Sequence, residues 1–316
     1  LSMSLTQASE RLLTYPSTAM IFYDFDGKAP APGTRLAQPD LAATLKAIAE
    51  TGPRAFYEGG IAEKIAAAVR GAGGVMTAED LSSYEPKLRD PVRGTYRGHE
   101  IVSMPPPSSG GIHVIQILKM LEGFDLAASG HNSAAHVHLL TEAMRRAYAD
   151  RATYLGDPDF VEVPVAALID DAYLKARAAT IDTAKASMSA DISAGELPGE
   201  ESPQTTHFSV VDKDGNAVSN TYTLNFSYGV GLTAPGTGVL LNNELDDFSA
   251  KPGVPNAYGL VGGTANAVEG GKRPLSSMSP TLVFRDGEFF LATGSPGGSR
   301  IITTTLQVIL NVVDHG

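Results

Sequence analysis

Cysteine is absent from this sequence. That excludes disulfides, thiolate metal sites and a cysteine nucleophile, and it fits an exported bacterial protein. No apolar run reaches the ~20 residues that a membrane-spanning helix needs. The first residues, Leu1-Ser2-Met3-Ser4-Leu5, show no basic segment followed by an apolar one, so no signal-peptide pattern is visible there. A Gly-x-Ser-x-Gly elbow is missing, which leaves a serine α/β-hydrolase unsupported. Nor does any glycine-rich loop run into Lys-Ser or Lys-Thr, as a nucleotide phosphate site requires. Positive charge is sparse: 24 Lys and Arg stand against 35 Asp and Glu, a net charge of −11. That balance disfavours nucleic acid and anionic membrane as partners and favours solubility.

The 316 residues, 43% of them hydrophobic, can bury a sizeable core as one large domain or two ordinary ones. The 33 Gly and 20 Pro are dispersed, as in a loop-rich rather than a disordered chain. The first half reads mainly as helix. Leu41, Leu45 and Ile48 share one helical face, as do Ile61, Ile65 and Val69. Gly71 to Gly74 stops the second of these helices, and Thr77-Ala78-Glu79-Asp80 has the spacing of an N-cap. Tyr96–Val102 reads as a strand leading into Met104-Pro105-Pro106-Pro107-Ser108-Ser109-Gly110-Gly111, a stiff turn and then a flexible one. A helix follows, with Ile112, Ile115, Leu118, Met120 and Leu121 on its buried side. Another runs from about Ser133 to Tyr154. Residues 187–203 are rich in Ser, Gly, Glu and Pro and make the best linker. Beyond them the texture turns to strands. Thr206–Asp212 and Asn216–Leu224 flank Lys213-Asp214-Gly215, and Thr281–Phe284 and Glu288–Ala292 flank Arg285-Asp286-Gly287, both hairpin signals. A last helix runs from about Gly297 to Val313. Helices, then hairpins, then a helix describe an α+β layered domain.

The linker enters the first strand at Gln204-Thr205-Thr206. Cleavage between Gln204 and Thr205 would give Thr205 a free α-amino group beside its own hydroxyl, putting nucleophile and general base on one residue. The same pattern also suits an ordinary strand start, because threonine favours strands. The hairpin returns Thr223 and Asn225 toward Thr205, where a hydroxyl and an amide can orient the nucleophile and hold substrate, or simply cap the strand end. In Asn242-Asn243-Glu244-Leu245-Asp246-Asp247-Phe248, Glu244 and Asp247 share a face of a helix or turn. They suit an α-ammonium group, a Ca²⁺ ion or a solvated loop. Ser276 and Ser277 lie beside Lys272 and Arg273, a combination suited to a carboxylate; a plain Ser/Pro loop has the same composition. Gly297 and Gly298 open the last helix, where two backbone N–H groups and the helix terminus can form an oxyanion hole, or a structural strand-to-helix turn. His131, His136 and His138 suggest a metal site, but His136 and His138 are two apart, which does not place them together on a helix face, so no metal or cofactor is expected.

These signals occur in one order, and the chain that carries them strongly resembles the gamma-glutamyltranspeptidase family. The matching stretches are 204–212, 242–248, 273–280 and 294–300, with Met104–Gly111 similar to a heavy-subunit motif. The resemblance implies a four-layer αββα N-terminal-nucleophile hydrolase fold, incomplete here at both ends. It implies residues 1–204 as part of a heavy subunit and 205–316 as part of a light subunit, which autocatalytic cleavage would separate into a heterodimer built as one interwoven domain. Thr205 would form a γ-glutamyl ester from glutathione or another γ-glutamyl donor, and water, an amino acid or a dipeptide would resolve it. Gly297 and Gly298 would bind the oxyanion, and Thr223 would assist the Thr205 amine. Asn225, Glu244 and Asp247 would hold the α-amino group, Ser276 and Ser277 the α-carboxylate, and Tyr258 would belong to a lid loop. The location implied is periplasmic or secreted. Family members extend further at both ends, and the missing N-terminal part carries an arginine for the substrate carboxylate. Two other readings remain. One is a related amidase on the same fold, cephalosporin-acylase-like or polyglutamate-cleaving. The other is an uncleaved, non-catalytic homologue.

Overall fold

A computed structural model describes residues 1–188, 191–192, 205–251, 253–254 and 262–316. In chain order the helices are α1 (Ser2–Leu12), α2 (Pro16–Phe22), α3 (Pro39–Thr51), α4 (Arg54–Tyr57), α5 (Gly59–Gly71), α6 (Ala78–Ser82), α7 (Gly110–Leu121), α8 (Leu126–Ser129), α9 (Ala134–Tyr154), α10 (Val165–Leu168), α11 (Asp171–Ala178) and α12 (Arg300–Leu310). The strands are β1 (Val92–Tyr96), β2 (His99–Ser103), β3 (Thr206–Val211), β4 (Ala217–Tyr222), β5 (Thr233–Ala234), β6 (Val239–Leu240), β7 (Thr281–Arg285) and β8 (Glu288–Thr293). They fall into two compact units, one of residues 1–88 with 226–243, the other of 89–225 with 244–316.

The smaller unit holds α1–α6 and the β5–β6 pair. Leu5, Leu12 and Tyr23 form its core, with the Tyr23 hydroxyl donating to the Leu5 carbonyl at 2.7 Å. Its two chain stretches are tied by side chains reaching backbone carbonyls: Arg11 to Ser227 at 2.5 Å, Thr18 to Gly231 at 2.7 Å and Thr44 to Thr237 at 2.7 Å. The face expected for α3 differs. Leu45 is 56% exposed, and Thr44 is buried with its hydroxyl donating to the Thr237 carbonyl. The Thr77 cap is present: Thr77 and Asp80 satisfy each other's backbone N–H groups at the start of α6.

The larger unit is built on an antiparallel sheet in the order β1-β2-β7-β8. The single strand expected over 96–102 is instead the middle of the β1–β2 hairpin, since Arg97 and Gly98 both take positive φ (44° and 77°) and reverse the chain. Helix α7 packs across β1 and β2 and against α9 and α12. It is buried all round rather than on one side, with His113 and Gln116 as deep as Ile112 and Leu118. Gln116 stays satisfied by donating to Asp150 at 2.9 Å and to the Leu168 carbonyl at 3.0 Å, as burial of an amide requires. The β3–β4 hairpin packs on β7 and β8. Ser219 of β4 pins it there, donating to the Thr293 carbonyl at 2.9 Å and accepting from the Thr281 N–H at 3.1 Å. Its register sets Thr206 opposite Tyr222, so Thr205 faces Thr223.

The turn 104–111 approaches the loop 275–279 closely. Ser108 and Ser276 form a parallel bridge, the Ser276 N–H donates to the Pro107 carbonyl at 2.9 Å, and the Ser109 N–H donates to the Ser276 carbonyl at 2.9 Å. A Cβ on Gly110 would lie 2.3 Å from Ser279 Oγ and 2.4 Å from the Met278 carbonyl oxygen. Only glycine fits there. Gly110→Ala is expected to destabilise the protein by about 1–3 kcal/mol, the usual cost of overpacking a rigid site, measured as a lower denaturation midpoint; an unchanged midpoint would show that the two segments part without penalty.

Candidate active site

Four backbone segments of the larger unit converge at the end of the β3–β4 hairpin. Thr205, Thr223, Asn225, Asp247, Ser276, Ser277 and Gly298 line one pocket with Met278, Ser299 and Ile301. The expected nucleophile therefore shares a cavity with the expected amine, carboxylate and oxyanion groups. Gln204 and Tyr258 lie outside the described residues, as does most of the 187–203 linker.

Thr205 stands just ahead of β3, and its hydroxyl donates to Thr223 Oγ1 at 3.3 Å. Thr223 Oγ1 also accepts from the Asn225 N–H at 2.9 Å. That bond closes a tight turn in which Asn225 takes φ 68°. Asparagine tolerates this left-handed conformation better than most residues. The turn sinks Asn225 to 3% exposure and points its amide at Asp246 Oδ2, 3.4 Å away.

Glu244–Asp247 forms a single 3-10 turn, so the two end carboxylates do share a face. They hydrogen-bond to each other, and burial together with Glu244 pushes the Asp247 carboxyl well above the usual carboxylate range. Burial raises Glu244 too, while its bonds to Asp247 and the Asn225 backbone pull it back. Two carboxylates this close cannot both ionise cheaply, so the pair favours a shared proton. Asn266, 3% exposed, bridges this turn to the serine loop. It donates to the Asp247 carbonyl at 2.7 Å and accepts from the Leu275 N–H at 2.9 Å.

Ser277 is 7% exposed, and Ser276 Oγ accepts from the Met278 N–H at 3.1 Å. Ser108 and Ser109 both donate their hydroxyls to the Ser276 carbonyl, at 3.3 and 3.0 Å. At the end of β8, Gly297 and Gly298 take φ of 133° and 55°, accessible to glycine at little cost, and lead into α12. Gly298 lines the pocket, whereas Gly297 does not. His207 lies flat against Gly294, where any Cβ would come within 2.3 Å of the imidazole ring. Burial lowers the His207 pKa, and its ring bonds Thr221 Oγ1 at 2.8 Å.

Several contributors escape a sequence reading. Tyr148 and Arg151, one turn apart on α9, reach two different site loops: Tyr148 donates to the Ser299 carbonyl at 2.7 Å, and Arg151 to the Leu275 carbonyl at 3.2 Å. The spacing i, i+3 marks a shared helix face, but nothing local says what that face meets. His136 and His138, two apart, do go separate ways. The rings of His131 and His136 stand 6.2 Å apart, each near His315, while His138 bonds the Asp182 carbonyl at 2.7 Å. Among the described residues no group of three side chains is placed to hold a metal ion.

The family model for gamma-glutamyltranspeptidase matches residues 1–316. The glutathione hydrolase proenzyme of Escherichia coli K12 is 55% identical over 311 residues, 98% of this chain and 53% of the relative. Among solved structures, a cephalosporin acylase from Bacillus halodurans superposes with TM-score 0.83 at 27% identity, over 100% of this chain and 55% of that one. The gamma-glutamyltranspeptidase of Helicobacter pylori gives TM-score 0.60 at 45% identity, over 61% and 56%. The chain spans about half the length of the curated relatives it matches. These likenesses bear out the expected α+β fold of N-terminal-nucleophile hydrolases. With the whole of the sequence matched, the chain belongs to the gamma-glutamyltranspeptidase family.

Proposed function

We propose that the full-length protein cleaves itself between Gln204 and Thr205 and then transfers or hydrolyses γ-glutamyl groups. Residues 1–204 and 205–316 would belong to its two subunits. The observation that carries the reading is the single pocket lined by Thr205, Thr223, Asn225, Asp247, Ser276, Ser277 and Gly298. The α-amine released on Thr205 would take the proton of Thr205 Oγ1 as that oxygen attacks the γ-carbonyl carbon, with Thr223 steadying the amine. Backbone N–H groups at Gly297 and Gly298 would stabilise the tetrahedral oxyanion. Collapse would return the proton to the departing amine and leave a γ-glutamyl ester on Thr205. Water, an amino acid or a dipeptide would then attack the ester. Glutathione is the donor this chemistry suits.

The acidic turn argues for an α-amino acid at the acyl end. A shared proton between Glu244 and Asp247 is what an incoming ammonium group would replace, with Asn225 alongside. Ser276 and Ser277 would meet the α-carboxylate, and Tyr258 would cover it. An acylase for acyl groups without an amine is the second reading, favoured by the Bacillus halodurans likeness; it would leave the carboxylate pair without a cation. Export to the periplasm or medium belongs to the same proposal, testable by cell fractionation. Among the described residues no helix is long and apolar enough to cross a membrane.

Thr205→Ala is expected to leave one unbroken chain by intact mass and to lower turnover of a chromogenic γ-glutamyl anilide by on the order of 10⁶-fold; processing or turnover that survives would remove Thr205 as nucleophile. Asp247→Asn should cost about 1.5–3 kcal/mol of binding, the worth of a hydrogen bond to a charged group, seen as a raised KM. In the unaltered protein the raised pKa of the acidic pair has a defined sign. At low pH the pair holds its proton and competes with substrate ammonium. KM should therefore fall as pH climbs through that pKa and rise again once the substrate amine deprotonates. A KM flat across this range would mean the pair does not receive the amine.

A further inference from the structure

Arg151 is 3% exposed, sits on α9 beneath the pocket, and does not line it. Its guanidinium donates to three neutral oxygens: Ser109 Oγ at 3.0 Å, the Leu275 carbonyl at 3.2 Å and Ser277 Oγ at 3.4 Å. A buried cation is costly unless opposite charge lies near. Here burial pulls its pKa down, while Tyr148 and Asp247 pull it up through space; of these two, only Asp247 can carry a negative charge near neutral pH. The other titratable group beside it, His113 on α7, is pushed down to about 4 by burial. It is neutral and supplies no counter-charge. Asp247 in turn is faced by Glu244 and Asp246, which push its pKa up, and by Arg151, which pulls it down.

We propose that Arg151 is a positioning residue for the acyl group, holding Ser277 and the Leu275 carbonyl in place for the α-carboxylate while its charge keeps the Glu244–Asp247 pair ready for the α-ammonium group. The inference rests on the γ-glutamyl reading of the pocket. One guanidinium then serves both ends of the glutamyl group without touching it. The geometry needs arginine, because a fork of N–H groups reaches three separated oxygens and an ammonium point charge does not.

The test compares kcat and KM against pH for a γ-glutamyl anilide and the matching glutaryl anilide, which lacks only the amine, in full-length wild type, Arg151→Met and Arg151→Lys. In Arg151→Met the acid limb of kcat/KM for the γ-glutamyl substrate should move up by roughly 1 pH unit or more, the usual effect of losing an adjacent opposite charge. Its preference for γ-glutamyl over glutaryl should fall by about tenfold for each pH unit that the limb moves. Arg151→Lys should keep the limb in place and raise KM severalfold, with kcat less affected. A lower melting temperature in Arg151→Met with limb and preference unchanged would reduce Arg151 to packing and overturn the proposal. Should Arg151→Met fail to fold, Arg151→Lys decides: a raised KM supports the proposal, and an unchanged KM overturns it. A wild type that turns over neither anilide removes the γ-glutamyl reading and this inference with it, whereas normal wild-type turnover with unaltered variants sinks the inference alone.

Discussion

The site depends on a backbone contact that admits no side chain. Gly110 lies against Ser279 and the Met278 carbonyl, and the Ser108–Ser109 turn bonds the Ser276 carbonyl from two hydroxyls and one N–H. That contact joins the start of the most deeply buried helix, α7, to the serine loop. The serine loop is joined through Asn266 to the acidic turn. Ser219 ties the hairpin carrying Thr205 to the beginning of β7 and the end of β8. Each pocket wall is thus fixed to the core sheet or its covering helices by hydrogen bonds to backbone, which leave a side chain little freedom to drift.

Electrostatics impose a second condition. Three carboxyl groups crowd into residues 244–247, and two of them, Glu244 and Asp247, favour a shared proton over full ionisation. The Arg151 cation acts on Asp247 in the opposite direction and favours its ionised form, since opposite charge in a poorly hydrated place acts strongly. The cation is itself expensive to bury. Neither group is comfortable alone, and their mutual dependence spans α9 and the acidic turn, segments about a hundred residues apart.

Much of this was legible along the chain, and the part that was not has more than one cause. The two hairpins, the α9 span and the Thr77 cap rest on local rules, and they stand where those rules put them. Of the residues assigned to the site, Thr205, Thr223, Asn225, Asp247, Ser276, Ser277 and Gly298 line one pocket, because each lies at the end of a strand or in a turn; Gly297 and Glu244 do not line it. Among the expectations that differ from the structure, one does so at a tertiary contact on α3 and one at a local turn between β1 and β2. On α3 the inward position is Thr44, bonded to the Thr237 carbonyl, rather than Leu45, and Tyr96–Val102 is two strands because Arg97 and Gly98 turn. Arg151, Tyr148 and Asn266 were invisible for a different reason. Their partners are backbone groups and hydroxyls on other segments, and a lone Arg, Tyr or Asn carries no mark of that in its neighbours.

Each compact unit is made of two stretches separated in the chain, and position 205 falls inside one of them. A break there would open the backbone while leaving both products in each unit. Residues 1–204 contribute to both units, and so do residues 205–316. Pulling the pieces apart would mean melting two cores at once, so the strength of their association is the folding stability of the molecule itself. Dilution should not separate them, and denaturant should do so only where it also unfolds them.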